Sequence, residues 1–282
     1  MLAQKWTAVM EISMDFFDSH FHLVELAKAA GDSPVDFGQI RGCSCALGPE
    51  EFEIMEKICQ RNRQILPAFG IHPQNPDEKL VPYLENLLLN RRIAAVGEIG
   101  FDFFSPDDRK NRPAQEKGWK KCLDLAIEYG FPVVIHNRKA MDMIYSSIAE
   151  LSHVPAVMFH SFPFGPVESR AILDRGVNAY FSFGKNLIRG SVRNRECIKS
   201  LPLDRILLET DAPFQTLGPE SFTKSTDIEL VYREAAVQSR VDFEDFVGAV
   251  GNNFSRFFSG SPYLHSSGND ASSTFIASTA VT

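Results

Sequence analysis

Eight short apolar runs, separated by longer stretches with helical spacing, constrain this chain more than any other feature. The runs with strand character fall near 14–18 (MDFFD), 40–45, 65–70 (ILPAFG), 93–97 (IAAVG), 132–135 (PVVI), 155–159 (PAVMF), 178–183 (NAYFSF) and 205–210 (RILLET). Helical periodicity occupies the intervals, as in 49–62, 113–130 and 166–176, and the last two of these begin with Pro and end at Gly, residues suited to a helix start and a C-cap. Continuously apolar strands are buried on both faces, which is the pattern of a parallel sheet sheathed by helices. Eight such units close naturally into a single-domain α/β fold, a TIM-like (β/α)8 barrel of about 250 residues. An open doubly wound sheet is the alternative.

The length of 282 residues leaves a little chain beyond one barrel. Residues 1–13 read as an N-terminal extension, 14–258 as the barrel, and 259–282, rich in Ser, Thr and Gly, as a flexible C-terminal tail. No apolar run approaches the roughly 20 residues that span a bilayer. The opening segment, interrupted by Glu11 and Asp15, does not read as a signal peptide, so a cytoplasmic protein with no membrane partner is expected. Cys43, Cys45, Cys59, Cys122 and Cys197 are odd in number and scattered, which suits reduced thiols better than a disulfide framework. A formal charge of −7 argues against coating nucleic acid by bulk electrostatics, though a local site can still hold a few phosphates.

Chemistry-bearing residues cluster at strand ends. His20 and His22 close the first run, His72 follows the third, and Glu98, His136, His160 and Asp211 close the fourth, fifth, sixth and eighth. In a barrel these positions share the C-terminal mouth, where active sites of this architecture assemble. Side chains two apart on a strand point to one face, so both imidazoles of Asp18-Ser19-His20-Phe21-His22 can enter the barrel together. Glu98 and Asp211 lie in apolar surroundings where a carboxylate is costly unless paired or metal-bound. Placed between two cations, Glu98 could bridge them, while Glu209, on the side of Asp211, could orient a ligand without binding metal itself. His153 and His265 fall elsewhere and take structural or solvent roles. The mixed donors suit one or two divalent ions, among them Zn, Mn and Mg, with the identity left open.

FDSHFHL at 17–23, GIHP at 70–73, VGEIGFD at 96–102, PVVIHNRKA at 132–140, FHSF at 159–162, RILLETDAPF at 205–214 and NNFSRFF at 252–258 together resemble the TatD-type metal-dependent deoxyribonucleases of the amidohydrolase superfamily. The resemblance implies a barrel, a one- or two-metal centre, and a hydrolase of phosphodiester bonds that trims DNA, its expected partner, from the 3′ end. Carried over residue by residue, it implies that His20, His22, Glu98 and Asp211 hold one metal and that Glu98, His136 and His160 hold the second. Asp211 and Glu98 then carry the catalysis. His72 and Arg138 face the substrate, the planar guanidinium suiting phosphate. Lys185, Arg189, Arg193 and Arg195 could guide a phosphate backbone or form a solvated helix face. The chain departs from the family at 223–228 (TKSTDI), where a basic residue and an Asn-Glu-Pro turn are usual, with Lys224 a partial replacement. A hydrolase of small phosphate esters, esters or amides, and an inactive barrel serving as a binding protein, are the competing readings. A monomer is favoured.

Overall fold

In the computed structural model, which describes residues 14–265 apart from 32–34, 36 and 39, eight parallel strands run in chain order around one sheet. They are β1 (Phe16–Phe21), β2 (Ile40–Ala46), β3 (Ile65–Phe69), β4 (Ala95–Asp102), β5 (Val133–Arg138), β6 (Val157–Phe159), β7 (Ala179–Phe183) and β8 (Ile206–Leu208). Past the short β8, the Asp211 N–H donates to the His20 carbonyl at 3.0 Å and the His22 N–H to the Ala212 carbonyl at 2.8 Å. These bonds, with the Asp18 carboxylate accepting from Thr210 N and Oγ1 at 3.0 and 2.6 Å, stitch β8 to β1 and close the barrel. The open-sheet alternative is thereby excluded.

Alternation along the strands divides the apolar side chains between two cores. Phe17, Cys43, Cys45, Leu66, Ala68, Val134, Met158, Tyr180 and Leu207 fill the interior of the barrel, while residues such as Phe69, Ile135 and Phe181 face the helical layer. The floor is closed by the helix Phe243–Ser259. Its Phe254 ring lies 5.2 Å from Phe17 and its Phe257 ring 5.7 Å from Tyr180, so aromatic packing seals the end opposite the histidines. The stretch expected to be tail stays packed past Ser259. Ser261 Oγ donates to the Ala94 carbonyl at 2.7 Å and Leu264 is buried, so the packed chain includes at least these residues. Residues 1–13 and 266–282 lie outside the described residues.

Two strand boundaries differ from the sequence expectation in ways that matter for the site. β1 starts at Phe16 rather than Met14, so His20 is inside it and His22 is the first residue beyond. β4 starts at Ala95 and runs on to Asp102, which sets Glu98 within the strand instead of at its end. The extension depends on Gly100, paired with His136, where φ is +137° and a Cβ would lie 2.0 Å from the His136 carbonyl oxygen. Among the described residues no helix is long and apolar enough to cross a membrane.

Candidate metal centre

Glu98 sits at the centre, 2 % exposed, with its two oxygens facing different sets of imidazoles. Oε1 lies 3.4 Å from His20 Nε2 and 3.3 Å from His22 Nε2. Oε2 lies 2.9 Å from His160 Nε2, 3.4 Å from His136 Nδ1 and 3.6 Å from His72 Nε2. Asp211 joins the first set, its Oδ1 being 3.5 Å from both His20 and His22 Nε2. Strand β1 with the residue after it, strands β4 and β5 and the loops after β6 and β8 thus bring the expected ligands together, and the loop after β3 adds His72. Donor atoms near enough to share a cation occur as His20, His22 and Glu98, as His20, His160 and Asp211, and as His72, Glu98 and His136.

The ring nitrogens that do not face Glu98 fix the tautomers. His22 Nδ1 is 3.2 Å from the Cys45 carbonyl, which can only accept, so the neutral ring keeps its lone pair on Nε2. His136 Nε2 is 3.0 Å from Asp102 Oδ2, leaving the lone pair on Nδ1. His160 Nε2 lies 2.9 Å from Glu98 Oε2 and 3.1 Å from His136 Nδ1, while its Nδ1 has the Glu209 carboxylate 3.6 Å away, beyond hydrogen-bond reach. Imidazole nitrogens and carboxylate oxygens gathered this closely repel unless protons or cations intervene. His20 Nε2 and Glu98 Oε1 are buried without a hydrogen-bond partner, which fits metal donors and not a self-contained hydrogen-bond network.

His72 differs. The Gln74 N–H donates to its Nδ1 at 3.2 Å, so the neutral ring carries its proton on Nε2 and points a donor into the cavity. Burial pushes this imidazole below the ordinary histidine range, outweighing the attraction of Glu98, and favours the neutral form. His72 therefore presents an N–H to the cavity, although its Nε2 lies 3.6 Å from Glu98.

Electrostatics reinforce the picture. Burial raises both carboxyls, but at Glu98 the charges of His20, His160 and His72 with the His136 hydrogen bond outweigh it, and at Asp211 the His20 and His22 hydrogen bonds with the His20 and His160 charges do, so both are held well below their usual range. Burial alone would lower His22, yet the Asp211 hydrogen bond and the Glu98 and Asp211 charges push it up to about 8. His160 is also raised, by Glu98 and Glu209 against its burial. A proton on His22 and a cation compete for one lone pair, so metal affinity is expected to strengthen as pH rises from about 6.5 to about 8. The metal-stripped chain behaves oppositely, because the raised His22 stabilises it fully below its unfolded pKa near 6.5 and that contribution is lost as pH rises through about 8. Metal titrations and thermal melts across this window check both trends, and pH-independent affinity contradicts the competition.

Sequence reasoning missed Asp102. Buried and held well below the carboxylate range by the His136 and Phe104 hydrogen bonds against its burial, it also accepts from Gln74 Nε2 at 2.9 Å and lies 3.4 Å from Arg138. Its place four residues after Glu98 on one strand, hence on the same face, was the available signal. Asp102→Asn is expected to weaken metal affinity roughly 10- to 100-fold by loosening His136, which metal-binding calorimetry measures.

Above the carboxylates opens a cavity of about 770 Å³ lined by His72, Arg138, Arg189, Phe214 and Gln215 among others. Residues 17–259 match the family model described as TatD related DNase. The chain belongs to that family. YabD of Bacillus subtilis (strain 168), named as a metal-dependent hydrolase, is 27 % identical over 202 residues, 69 % of this chain and 77 % of that one. A protein of Pantoea ananatis (strain LMG 20103) named 3′-5′ ssDNA/RNA exonuclease TatD is 31 % identical over 153 residues, 51 % of this chain and 56 % of that one. The crystal structure of YJJV, a TatD homologue from Escherichia coli K12, superposes with a TM-score of 0.72 at 23 % identity, covering 86 % and 98 % of the two chains, and so shares the fold. As a TatD-family barrel, the chain is a metal-dependent hydrolase.

Within this TatD-family chain the basic residues after β7 separate. Lys185 is wholly buried and neither guides phosphate nor faces solvent: its Nζ donates to Glu220 at 2.8 Å, Thr223 at 3.1 Å and Asp227 at 2.6 Å. Arg195 pairs with Glu234 at 3.1 Å, Arg193 is exposed on the helix Val192–Ser200, and Arg189 reaches the cavity. Lys224 is exposed and does not line the cavity, and neither do its neighbours in the altered 223–228 stretch. That departure from the family thus leaves the cavity wall untouched. His153 and His265 are exposed, away from Glu98. Lys185→Met strands two carboxylates beside an apolar chain, and is expected to cost about 3–5 kcal/mol, seen as a drop in thermal midpoint of roughly 10 °C.

Proposed function

We propose that this chain is a phosphodiesterase that trims DNA from its 3′ end, with two divalent cations sharing Glu98. The observation that carries the reading is the division of the Glu98 carboxylate between two sets of imidazoles. His20, His22 and Asp211 would hold one cation, and His136 and His160 the other. The predominance of imidazole favours first-row transition ions such as Zn or Mn over Mg. Bound there, the cations would ionise a water and stabilise charge on the phosphoryl oxygens.

The chain's own groups do the rest. Asp211, 14 % exposed and steadied by the Gln215 amide at 3.0 Å, stands between the imidazoles and the cavity, placed to take the proton of the attacking water. His72 Nε2–H and the half-exposed Arg138 guanidinium are the donors for non-bridging phosphate oxygens. Glu209 lies 3.6 Å from His160 Nδ1, behind the ring nitrogen that faces the centre. All these donors come from a single chain, so the reading needs no second subunit. The five buried free thiols support a reducing, cytoplasmic setting.

The test is incubation of purified protein with Mg, Mn or Zn and a 5′-labelled single strand. Stepwise shortening that a chelator abolishes and a blocked 3′ end prevents is the expected result. No release with any metal would overturn the proposal, and faster turnover of small phosphate esters than of DNA would favour the small-molecule reading.

A further inference from the structure

Most groups lining the cavity above Glu98 are polar, yet Phe214 stands among them 45 % exposed. A single exposed phenylalanine on an open surface is ordinary. This one is inside the cavity, its ring 5.2 Å from the His22 imidazole and inclined to it at 74°. The turn that carries it is tied from several sides. The Phe214 N–H donates to the Asp211 carbonyl at 2.8 Å, and the Thr223 N–H to the Pro213 carbonyl at 2.9 Å. Next to it, Gln215 holds a left-handed φ of +55° and its amide donates to Ser161 Oγ at 2.8 Å and to Asp211 Oδ2 at 3.0 Å. The ring is therefore held in place before any ligand arrives, and stacking against it loses little conformational freedom.

Arg138 supplies the second half of the chemistry. It lines the same cavity and its guanidinium lies 4.0 Å over the Phe104 ring, which steadies a phosphate donor at the rim. An aromatic ring and an arginine lining one cavity can hold single-stranded nucleic acid without reading its sequence, the ring taking the base and the cation the backbone.

We propose that Phe214 is the stacking platform for the 3′-terminal base, so that an end bearing a base binds better than an abasic one. The inference rests on the DNA-trimming reading above.

The test uses the wild-type protein with manganese and two single strands of equal length, one ending in dA and one in an abasic tetrahydrofuran residue. KM is expected to be about tenfold or more higher for the abasic end, with a smaller change in kcat. Phe214→Leu, which keeps an apolar side chain without a π-face, should bring the two KM values together, and Phe214→Trp should keep them apart. Metal content is measured in each variant, and if Phe214→Leu loses its ions the wild-type and Phe214→Trp comparison decides. Equal KM values in the wild type, or an undiminished difference in a metal-loaded Phe214→Leu, would overturn the platform while leaving DNA hydrolysis standing. No release from either strand by the wild type would overturn both.

Discussion

Glu98→Ala is expected to lower turnover roughly a thousand-fold while the barrel stays folded, equivalent to about 4 kcal/mol of transition-state stabilisation. The reason is its position between two donor sets, with one oxygen within 3.4 Å of His20 and His22 and the other within 3.6 Å of His72, His136 and His160. Removing the carboxylate takes a donor from each set at once, leaving Asp211 beside His20 and His22 and no carboxylate between the two sets. Folding should survive, because the barrel is held by its strand ladders and two apolar cores, to which Glu98 does not belong. Glu98→Gln, which keeps one good oxygen donor, should fall between wild type and alanine. Steady-state kinetics with far-ultraviolet circular dichroism check this, and a fully active Glu98→Ala would contradict the central role of this residue.

Gly100→Ala should damage stability and site together. The position has φ of +137°, which L side chains rarely adopt, and the added methyl would lie 2.0 Å from the His136 carbonyl oxygen in the neighbouring strand. Backbone and strand spacing must both yield, at a cost of about 3 kcal/mol or more, or roughly 10 °C in thermal midpoint. Since His136 is paired with Gly100 across β4 and β5, the same displacement carries its ring away from Glu98. Metal affinity should therefore fall with stability, unlike in Lys185→Met, where the damage lies in the 218–228 stretch. Differential scanning fluorimetry with and without metal separates the two variants.

How far the sequence reveals the molecule depends on the range of the interaction involved. The strands and the helices between them were legible because their signals are local: apolar runs, Pro at helix starts, Gly at helix ends. His20, His22, Glu98, His136, His160 and Asp211 were legible as a group because strand order in a barrel brings strand ends together, and they do meet around Glu98. Asp102 was passed over because β4 was read as ending at Gly97, which placed Asp102 in a loop. The role of Lys185 was hidden because its partners, Glu220, Thr223 and Asp227, lie 35 to 42 residues away. Only the folded loop shows that a basic residue beside an arginine run is an internal tie. Phe214 stood in a quoted motif, but its exposure to the cavity is a tertiary property that no spacing encodes.

Elemental analysis of the dialysed wild-type protein, paired with activity before and after chelation, tests the metal centre most directly. The expected result is at least one divalent ion per chain, loss of hydrolysis when it is removed, and recovery when it is restored. Protein that is free of metal, hydrolyses its substrate at an undiminished rate and ignores the chelator would contradict it.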